Sequence, residues 1–277
     1  MTIDEFIRNA VQEDIGEGDH TSNACIPETA VGRAKMIVKE DGVLAGSGIA
    51  EQIFYFIDPN LQVRTEVAEG EKVSVGTVVM TVSGKARSIL MAERLALNCI
   101  QRMSGIATVT KKVVDQLEGL HTKVLDTRKT TPGIRFLEKL AVQIGGGVNH
   151  RYGLYDMMMI KDNHIDYAGG IKAAIELANE YRKNHNLEIQ LEIEARNLDE
   201  LAEILSVGGV DRIMLDNFSH EDLRSAVSQI PDHIETEASG GITMETARSF
   251  AECGVDYISM GALTHSVGSL DISLKAF

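Results

Sequence analysis

The stretch EIQLEIEARNLDELAEILSVGGVDRIMLDN, Glu188 to Asn217, decides the fold. It opens with a short apolar run that ends in acids and continues through a segment with apolar residues at helical spacing. It closes on a second apolar run that also ends in an acid. Strand, helix and strand in succession indicate a right-handed βα unit in a parallel sheet.

The same alternation continues on both sides of this stretch. Six strands are predicted beyond residue 120, with helical stretches between most of them: TKVLDTR (122–128), DMMMIKD (156–162), EIQLEIEA (188–195), DRIMLDN (211–217), ETEASGG (235–241) and YISMGAL (257–263). Their polar residues come last, which is where a parallel α/β barrel places its active site. Fewer than eight strands are countable, so we predict an incomplete or atypical, TIM-like α/β barrel over residues 111–277.

The N-terminal part of the chain shows different periods. Residues 31–84 alternate between apolar and polar side chains, with Gly-containing turns, which indicates antiparallel β structure. Residues 2–13 and 88–119 have helical spacing, the second as one or two helices that bend near Ser104 and Gly105. We predict an N-terminal α+β sandwich domain over residues 1–110, on which the C-terminal tail can pack back.

The charge of the chain is unevenly distributed. The net charge is −14, which argues against binding to nucleic acid or anionic membranes. Residues 121–164 instead carry seven Lys and Arg against four Asp and Glu. Such a local excess of positive charge suits a small anion in a cleft.

Other features of the sequence indicate the cellular compartment that we expect. No apolar run approaches the roughly 18 residues that a membrane helix needs. The first ten residues lack the apolar core of a signal peptide. The three cysteines are widely spaced and form no CxxC motif, so we expect a reducing, cytoplasmic environment rather than disulfides or zinc.

The cations are candidate ligands for an anion. Arg128 and Lys129 lie in TRKTTPG, Arg151 ends GGGVNHR, and Lys161 ends a predicted strand. Gly- and Pro-rich loops are where binding residues concentrate, so we favour binding over solvated surface charge. His150 is equally a substrate ligand or a loop cap, and His164 is expected to support a turn or a neighbouring ligand.

The acids Glu194 and Asp216 end two successive strands. Glu192 and Glu194 alternate to the same strand face, and Glu194 lies nearer the C-terminal end. Carboxylates at such an edge suit Mg²⁺ or sugar hydroxyls, and the alternative is ion pairing with the nearby cations. The choice between Glu192 and Glu194 as the functional acid stays open.

Two glycine turns follow the last predicted strands, EASGGIT (237–243) and YISMGALTHS (257–266). Backbone N–H groups at such turns bind phosphate, and barrels often place a phosphate site at their last two βα loops. Glycine turns are also common for structural reasons alone. Together the loops predict a pocket for a phosphorylated sugar, a divalent cation and a carboxylate-rich ligand.

These motifs resemble those of the quinolinate phosphoribosyltransferase family, over nearly the whole chain. They are DTRKTTPG, GGGVNHR, GLYDMMMIKDNH, LEIEAR, IMLDN and EASGGIT, with ERLALNCIQRMSGIAT and EDIGEGDHTS further upstream. The resemblance implies transfer of phosphoribose from phosphoribosyl pyrophosphate to quinolinate, giving nicotinate mononucleotide, pyrophosphate and CO₂ for NAD biosynthesis. Gln143 departs from the pattern, since many relatives are expected to carry a basic residue there.

The resemblance also implies roles for individual residues. It makes Arg128, Lys129, Lys161, Glu194 and Asp216 catalytic, with Mg²⁺ held by Glu194 and Asp216 directly or through substrate or water. Substrate binding is implied for twelve residues: Arg94, Arg128, Lys129, His150, Arg151, Lys161, Glu194, Asp216, Ser239, Gly240, Gly261 and His265. A homodimer or hexamer is implied, in which Arg94 enters a neighbouring subunit's site.

Two other functions compete with this one. A Schiff-base aldolase would use Lys161 as its nucleophile, and trapping with borohydride would reveal the adduct. An oxyanion- or nucleotide-binding regulator would bind ligand without turnover, but that function leaves Glu194 and Asp216 unexplained.

Overall fold

The computed structural model describes residues 2–277. The helices are α1 (Ile3–Ile15), α2 (His20–Cys25), α3 (Ser47–Ile57), α4 (Ala86–Gln116), α5 (Arg135–Ile144), α6 (Asp162–Ala168), α7 (Ile171–Asn184), α8 (Leu198–Val207), α9 (His220–Gln229), α10 (Ala247–Ala251) and α11 (Ala262–His265). The strands are β1 (Val31–Val38), β2 (Gly42–Val43), β3 (Gln62–Thr65), β4 (Lys72–Val73), β5 (Val78–Lys85), β6 (Lys123–Leu125), β7 (Met158–Ile160), β8 (Leu191–Ala195), β9 (Arg212–Asp216), β10 (Glu235–Ser239), β11 (Tyr257–Ser259) and β12 (Ile272–Ala276).

The chain forms two compact units. The first combines residues up to Lys111 with 130–146 and 263–277, and the second combines 112–129 with 147–262. The division that the sequence predicts at residue 110 falls inside α4. The described helices include none that is long and apolar enough to cross a bilayer.

The first unit is built on an antiparallel sheet with the strand order β12-β1-β5-β3. Met36 of β1 lies between Met80 of β5 and Leu274 of β12. Met36 and Met80 are fully buried, and alternate residues of β1 are buried in the same way. The period-two pattern of the sequence therefore produces this sheet, because one face of the central strand β1 packs into the core.

Helix α4 is a single helix of 31 residues, so Ser104 and Gly105 do not divide it. Both residues instead allow close packing within the first unit. The Ser104 hydroxyl bonds to both the N–H and the C=O of Ala45, and a Cβ on Gly105 would collide with the carbonyl oxygen of Gly268. A small polar residue and a glycine in mid-helix are here a packing signal rather than a break.

A buried ion pair joins distant segments of the first unit. The Glu138 carboxylate on α5 is fully buried and accepts hydrogen bonds from the Arg102 guanidinium on α4, at 3.0 and 2.7 Å. It also accepts from the N–H and the hydroxyl of Thr131, both at 2.9 Å. Arg102 donates further to the carbonyl oxygens of Thr264 and Val267. One charge pair therefore fixes two loops that are far apart in sequence.

The second unit contains one parallel sheet with the strand order β6-β11-β10-β9-β8-β7. These are the six strands that the sequence predicts, and the prediction of an α/β barrel-like fold is confirmed. Ile193 and Leu215 are fully buried on the helix-facing side, and each contributes about 1.5–3 kcal/mol by burial. Outside the sheet, Val148 forms a further parallel bridge to Leu125 of β6.

Replacement of Glu138 by Ala is expected to destabilise the protein by about 3–5 kcal/mol, because it leaves the Arg102 charge and the Thr131 N–H without their partner. Urea unfolding followed by circular dichroism measures the change. Glu66→Ala is the control, since Glu66 pairs at the surface with the exposed Arg64 and should cost under about 1 kcal/mol. Equal unfolding midpoints for the two variants would contradict the assignment.

Candidate active site

The ends of β8 and β9 bring two acids to the same edge of the parallel sheet. Glu194 pairs in register with Met214, and Asp216 follows Met214 by two residues on the same strand face. The Glu194 side chain is 12% exposed, and Asp216 is half-buried and accepts a hydrogen bond from the Asn217 side chain at 2.8 Å. Both carboxylates therefore remain accessible from the solvent side of the edge.

Lys161 follows β7, the neighbour of β8, and forms an ion pair with Glu194. Its side chain is 42% exposed. The segment after it turns into α6, where His164 Nδ1 accepts a hydrogen bond from the Lys161 N–H at 2.9 Å. His164 therefore supports the turn after Lys161, which is one of the two roles that the sequence predicted for it.

Arg151 lies in a loop that is held by hydrogen bonds between residues of the loop itself. The Asp156 carboxylate accepts hydrogen bonds from the N–H groups of Tyr152 and Gly153, at 2.6 and 2.7 Å. The Arg151 guanidinium is half-buried, and burial together with the nearby charge of Arg128 lowers its pKa. Two arginines whose positive charges lie close together and repel each other indicate an anion-binding site.

Arg128 and Lys129 follow β6 and are exposed. The Lys129 N–H donates to the Thr127 hydroxyl at 3.1 Å, which shapes a tight bend after the strand. Parallel strands place their ends at one edge, so β6 and β7 deliver their cations to the same side of the sheet as the acids of β8 and β9.

Ser239 is the last residue of β10, Gly240 comes directly after it, and Gly261 comes after β11. The Ser239 carbonyl oxygen accepts a hydrogen bond from the Asn217 N–H at 2.8 Å. Gly240 has φ +99°, and a Cβ there would collide with the side chain and backbone of Asn217. Only glycine therefore fits this turn, and its backbone N–H groups stay unshielded by a side chain.

Ten of the twelve predicted substrate-binding residues lie in the second unit, and Arg94 and His265 lie in the first. Arg94 is exposed on α4. His265 ends α11, is exposed, and contacts the Ser266 hydroxyl through Nδ1 at 2.5 Å. Their roles, like those of the other ten residues, stay predictions.

Comparison with known proteins identifies the family. The C-terminal domain of quinolinate phosphoribosyl transferase matches residues 106–275, and its N-terminal domain matches residues 19–104. The chain belongs to the quinolinate phosphoribosyltransferase family.

Individual members of the family are similar over their length. Quinolinate phosphoribosyltransferase [decarboxylating] 1 of Nicotiana glauca is 46% identical, over 97% of this chain and 81% of the relative. A probable nicotinate-nucleotide pyrophosphorylase [carboxylating] of Bacillus subtilis is 43% identical, over 99% and 93%. The crystal structure of NadC from Streptococcus pyogenes superposes with a TM-score of 0.93 at 38% identity, covering 99% of this chain and 95% of that one.

The structure also shows a buried polar cluster that contains His150 and Glu192, the acid left as an alternative to Glu194, together with Glu237 and Arg212, which the site predictions did not include. Glu192 of β8 and Glu237 of β10 lie against the His150 imidazole, and Arg212 of β9 lies beside Glu237. Burial and the neighbouring Glu237 raise the pKa of Glu192 to about 7. Burial acts on Glu237 in the same direction, but His150 outweighs it and holds the pKa of Glu237 below its usual range.

The His150 ring has a defined hydrogen-bonding arrangement. Its Nδ1 accepts the Arg151 N–H at 2.6 Å. Burial lowers the pKa of His150, while Glu192 and Glu237 outweigh burial and raise it to about 9. A second proton on Nδ1 would nevertheless point at the Arg151 N–H, so the geometry favours the neutral ring with its proton on Nε2. The alternation of Glu192 with Glu194 was the signal in the sequence that could have found this cluster.

In this family member, Gly240→Ala is expected to cost about 3 kcal/mol, since it combines a strained positive φ with a collision against Asn217. Gly241→Ala is the matched control, because Gly241 has φ +62° and open space around its Cβ position. That change should cost only about 1 kcal/mol. Thermal unfolding of the two variants measures the difference, and a Gly241 variant as unstable as the Gly240 variant would contradict the packing argument.

Proposed function

We propose that this chain transfers the phosphoribosyl group of phosphoribosyl pyrophosphate to quinolinate, with loss of CO₂, to form nicotinate mononucleotide for NAD biosynthesis. The observation that carries the proposal is the gathering of cations from separate loops beside two acids at one sheet edge. Membership of the family supports the same reaction, since the relatives are named for it.

Quinolinate accounts for the arginines. It is a pyridine with two adjacent carboxylates, and Arg binds a carboxylate through two parallel hydrogen bonds. Arg151 and Arg128 lie near each other, and Arg151 is already partly removed from water. We assign them to quinolinate, with Lys129 and Lys161 shared between its carboxylates and the pyrophosphate, and with His150 beside them.

The phosphorylated sugar accounts for the acids and the glycine turns. The half-buried carboxylates of Glu194 and Asp216 suit ribose hydroxyls as hydrogen-bond acceptors. We assign the 5′-phosphate to the turns at Ser239 and Gly240 and at Gly261, with His265. A side chain at Gly240 would be excluded by Asn217, so phosphate can approach the backbone N–H groups of that turn.

The reaction needs no protein nucleophile. The lone pair of the pyridine nitrogen forms a bond to C1 of the ribose while the C1–O bond breaks and its electrons leave with pyrophosphate. The ring nitrogen is then cationic, so the bond to the adjacent carboxylate can break, releasing CO₂ and leaving a carbanion that takes up a proton from water. The cations of the site hold the departing pyrophosphate and the retained carboxylate, and positioning and electrostatics supply the catalysis.

Mg²⁺ fits the residues at the edge of the sheet. Glu194 and Asp216 offer carboxylate oxygens from neighbouring strand ends, which are the ligands that Mg²⁺ takes in proteins. These two residues would hold the ion directly, or through substrate or water. When bound, Mg²⁺ would neutralise charge on the pyrophosphate.

We further propose a homodimer or a hexamer, in which the exposed Arg94 of α4 enters the site of a neighbouring subunit. A cytoplasmic location is also our proposal. It is supported by the state of the cysteines, since Cys25, Cys99 and Cys253 are all free thiols.

The aldolase alternative loses support from the contacts of Lys161. A Schiff base requires an amine that is free to attack a carbonyl carbon, whereas the Lys161 amino group is paired with the Glu194 carboxylate. The regulator alternative leaves the acids at the sheet edge without a role.

The purified protein should form nicotinate mononucleotide from quinolinate, phosphoribosyl pyrophosphate and Mg²⁺, as followed by absorbance and mass. Nicotinate in place of quinolinate should give no product, because it lacks one of the two carboxylates that the arginines recognise. Chelation of Mg²⁺ should abolish turnover. A folded protein that forms no product from either pyridine acid would reject the proposed reaction.

A pair of Arg→Lys variants isolates the recognition step within that assay. Arg151→Lys should raise KM for quinolinate by about tenfold to a hundredfold, because Lys cannot form the paired hydrogen bonds. Arg196→Lys is the matched control, since Arg196 is exposed and its side chain pairs with Glu200. The control should leave KM within about twofold.

Mixing two inactive chains tests the shared site. Arg94→Ala and Lys129→Ala should each be nearly inactive alone, since one lacks the donated arginine and the other a residue of the receiving site. After subunit exchange, mixed oligomers should regain activity, because some sites then contain neither substitution. Subunit exchange verified by mass, without any regain of activity, would exclude donation of Arg94.

A further inference from the structure

The second unit buries two carboxylates that the proposed reaction does not use. The side chains of Glu192 and Glu237 are both 0% exposed, and they lie on the inner face of β8 and β10. His150 Nε2 lies 3.1 Å from Glu192 Oε2 and 3.2 Å from Glu237 Oε2. Burying two acids is costly unless each has a partner, so this arrangement requires an explanation.

A metal ion is the first alternative, because His150, Glu192 and Glu237 place their ligand atoms within 4.8 Å of one another. Two contacts argue against it. A metal-binding His donates its other ring N–H, whereas His150 Nδ1 accepts the Arg151 N–H. The positive charge is already supplied by Arg212, whose Nη1 lies 3.5 Å from Glu237 Oε2. A cluster of close charged and polar contacts around His150 accounts for the geometry better.

The cluster is connected to the loop above it through His150. The His150 N–H donates to Oδ1 of Asp126 at 2.8 Å, and Asp126 is fully buried directly after β6. The His150 ring is held from β8 and β10 by Glu192 and Glu237, and it receives the next N–H in the chain. Contacts from β8, from β10 and from the residue that follows β6 therefore fix the position of the Arg151 backbone.

We propose that Glu192 and Glu237 are positioning residues for Arg151. They hold His150 Nε2 between their carboxylates, at 3.1 and 3.2 Å, so that the unprotonated Nδ1 accepts the Arg151 N–H and fixes the direction in which the Arg151 guanidinium leaves the backbone. The identity of the anion that Arg151 meets rests on the proposed function, whereas the arrangement of the cluster does not. Arg212, paired with Glu235 at 2.7 Å and 3.5 Å from Glu237, places one positive charge beside the cluster.

The first arm of the test reads the His150 tautomer in the protein without substrates. Selective ¹⁵N labelling of histidine, with His150→Gln to assign the signals, should show a pyrrole-type Nε2 and a pyridine-type Nδ1. Addition of Zn²⁺ alone should leave both signals unchanged. Averaged tautomers, two pyrrole-type signals from an imidazolium, or a Zn²⁺-induced shift of Nε2 at one equivalent would overturn the proposal whether or not the protein turns over quinolinate.

The second arm separates positioning from stability. Glu192→Met/Glu237→Met removes both acceptors, and KM for quinolinate should rise by about tenfold or more while kcat falls by less than about threefold. Glu192→Gln/Glu237→Gln keeps an acceptor oxygen at each position and should stay within about threefold of the parent in KM. An unchanged KM in the Met variant would overturn the proposal.

Glu235→Met is the matched control for the Met substitutions. Glu235 lies two residues before Glu237 on the same strand face and also pairs with Arg212, but its contacts do not include His150. Its KM for quinolinate should stay within about twofold of the parent. A rise equal to that of the Met double variant would assign the effect to Arg212 and contradict a role for His150. If the double variant does not fold, Glu237→Met and Glu192→Met are compared singly with this control, and a tautomer signal unchanged in both would count against the proposal.

Discussion

The direction of the parallel strands is the constraint on which the second unit depends. Six strands run the same way, so the residues that end them must lie at one edge of the sheet. Backbone pairing alone therefore places Lys161, Glu194 and Asp216 at the same edge, although helices separate them in sequence. The helix-facing sides of the same strands are apolar, and their burial provides the stability that lets the edge be polar.

Charge inside the sheet is held in pairs rather than singly. Arg212 lies between Glu235 and Glu237, and its guanidinium also packs over the Tyr257 ring at 4.4 Å. In the first unit, Arg102 and Glu138 make a comparable pair with backbone groups as additional partners. Each pair joins segments that are distant in sequence, and loss of one partner would leave the other charge buried and unpaired.

The sequence predicted the strands well because the residues of each strand and its immediate neighbours in the chain carry the signal for it. Buried runs such as LEIEA end in acids and are followed by a helix start, and the Asn197 side chain caps α8 as that pattern suggests. The positions of Glu194 and Asp216 follow from the same reasoning. Gly105 was misleading, because a glycine in a helical pattern can indicate either a break in the helix or the close approach of another segment.

The cluster under the sheet edge could not be predicted to the same extent. Alternation showed that Glu192 shares a face with Glu194, but the partner of Glu192 is His150, and only the folded sheet brings that loop to the strand. The same holds for Arg102 and Glu138, which meet through packing of α4 against α5. Pairings of this kind depend on tertiary distance, for which a single sequence holds no periodic signal.

The pairing of β12 with β1 has a consequence for biosynthesis. Ala34 pairs with Ala276, so the central strand β1 of the first sheet receives one of its two neighbours only when residues 272–276 have been made. On the ribosome, the second unit can be synthesised in full while β1 still has one open edge. Until residues 272–276 emerge, that edge offers unpaired N–H and C=O groups to any passing strand, which makes the nascent chain more exposed to misassembly than the finished protein.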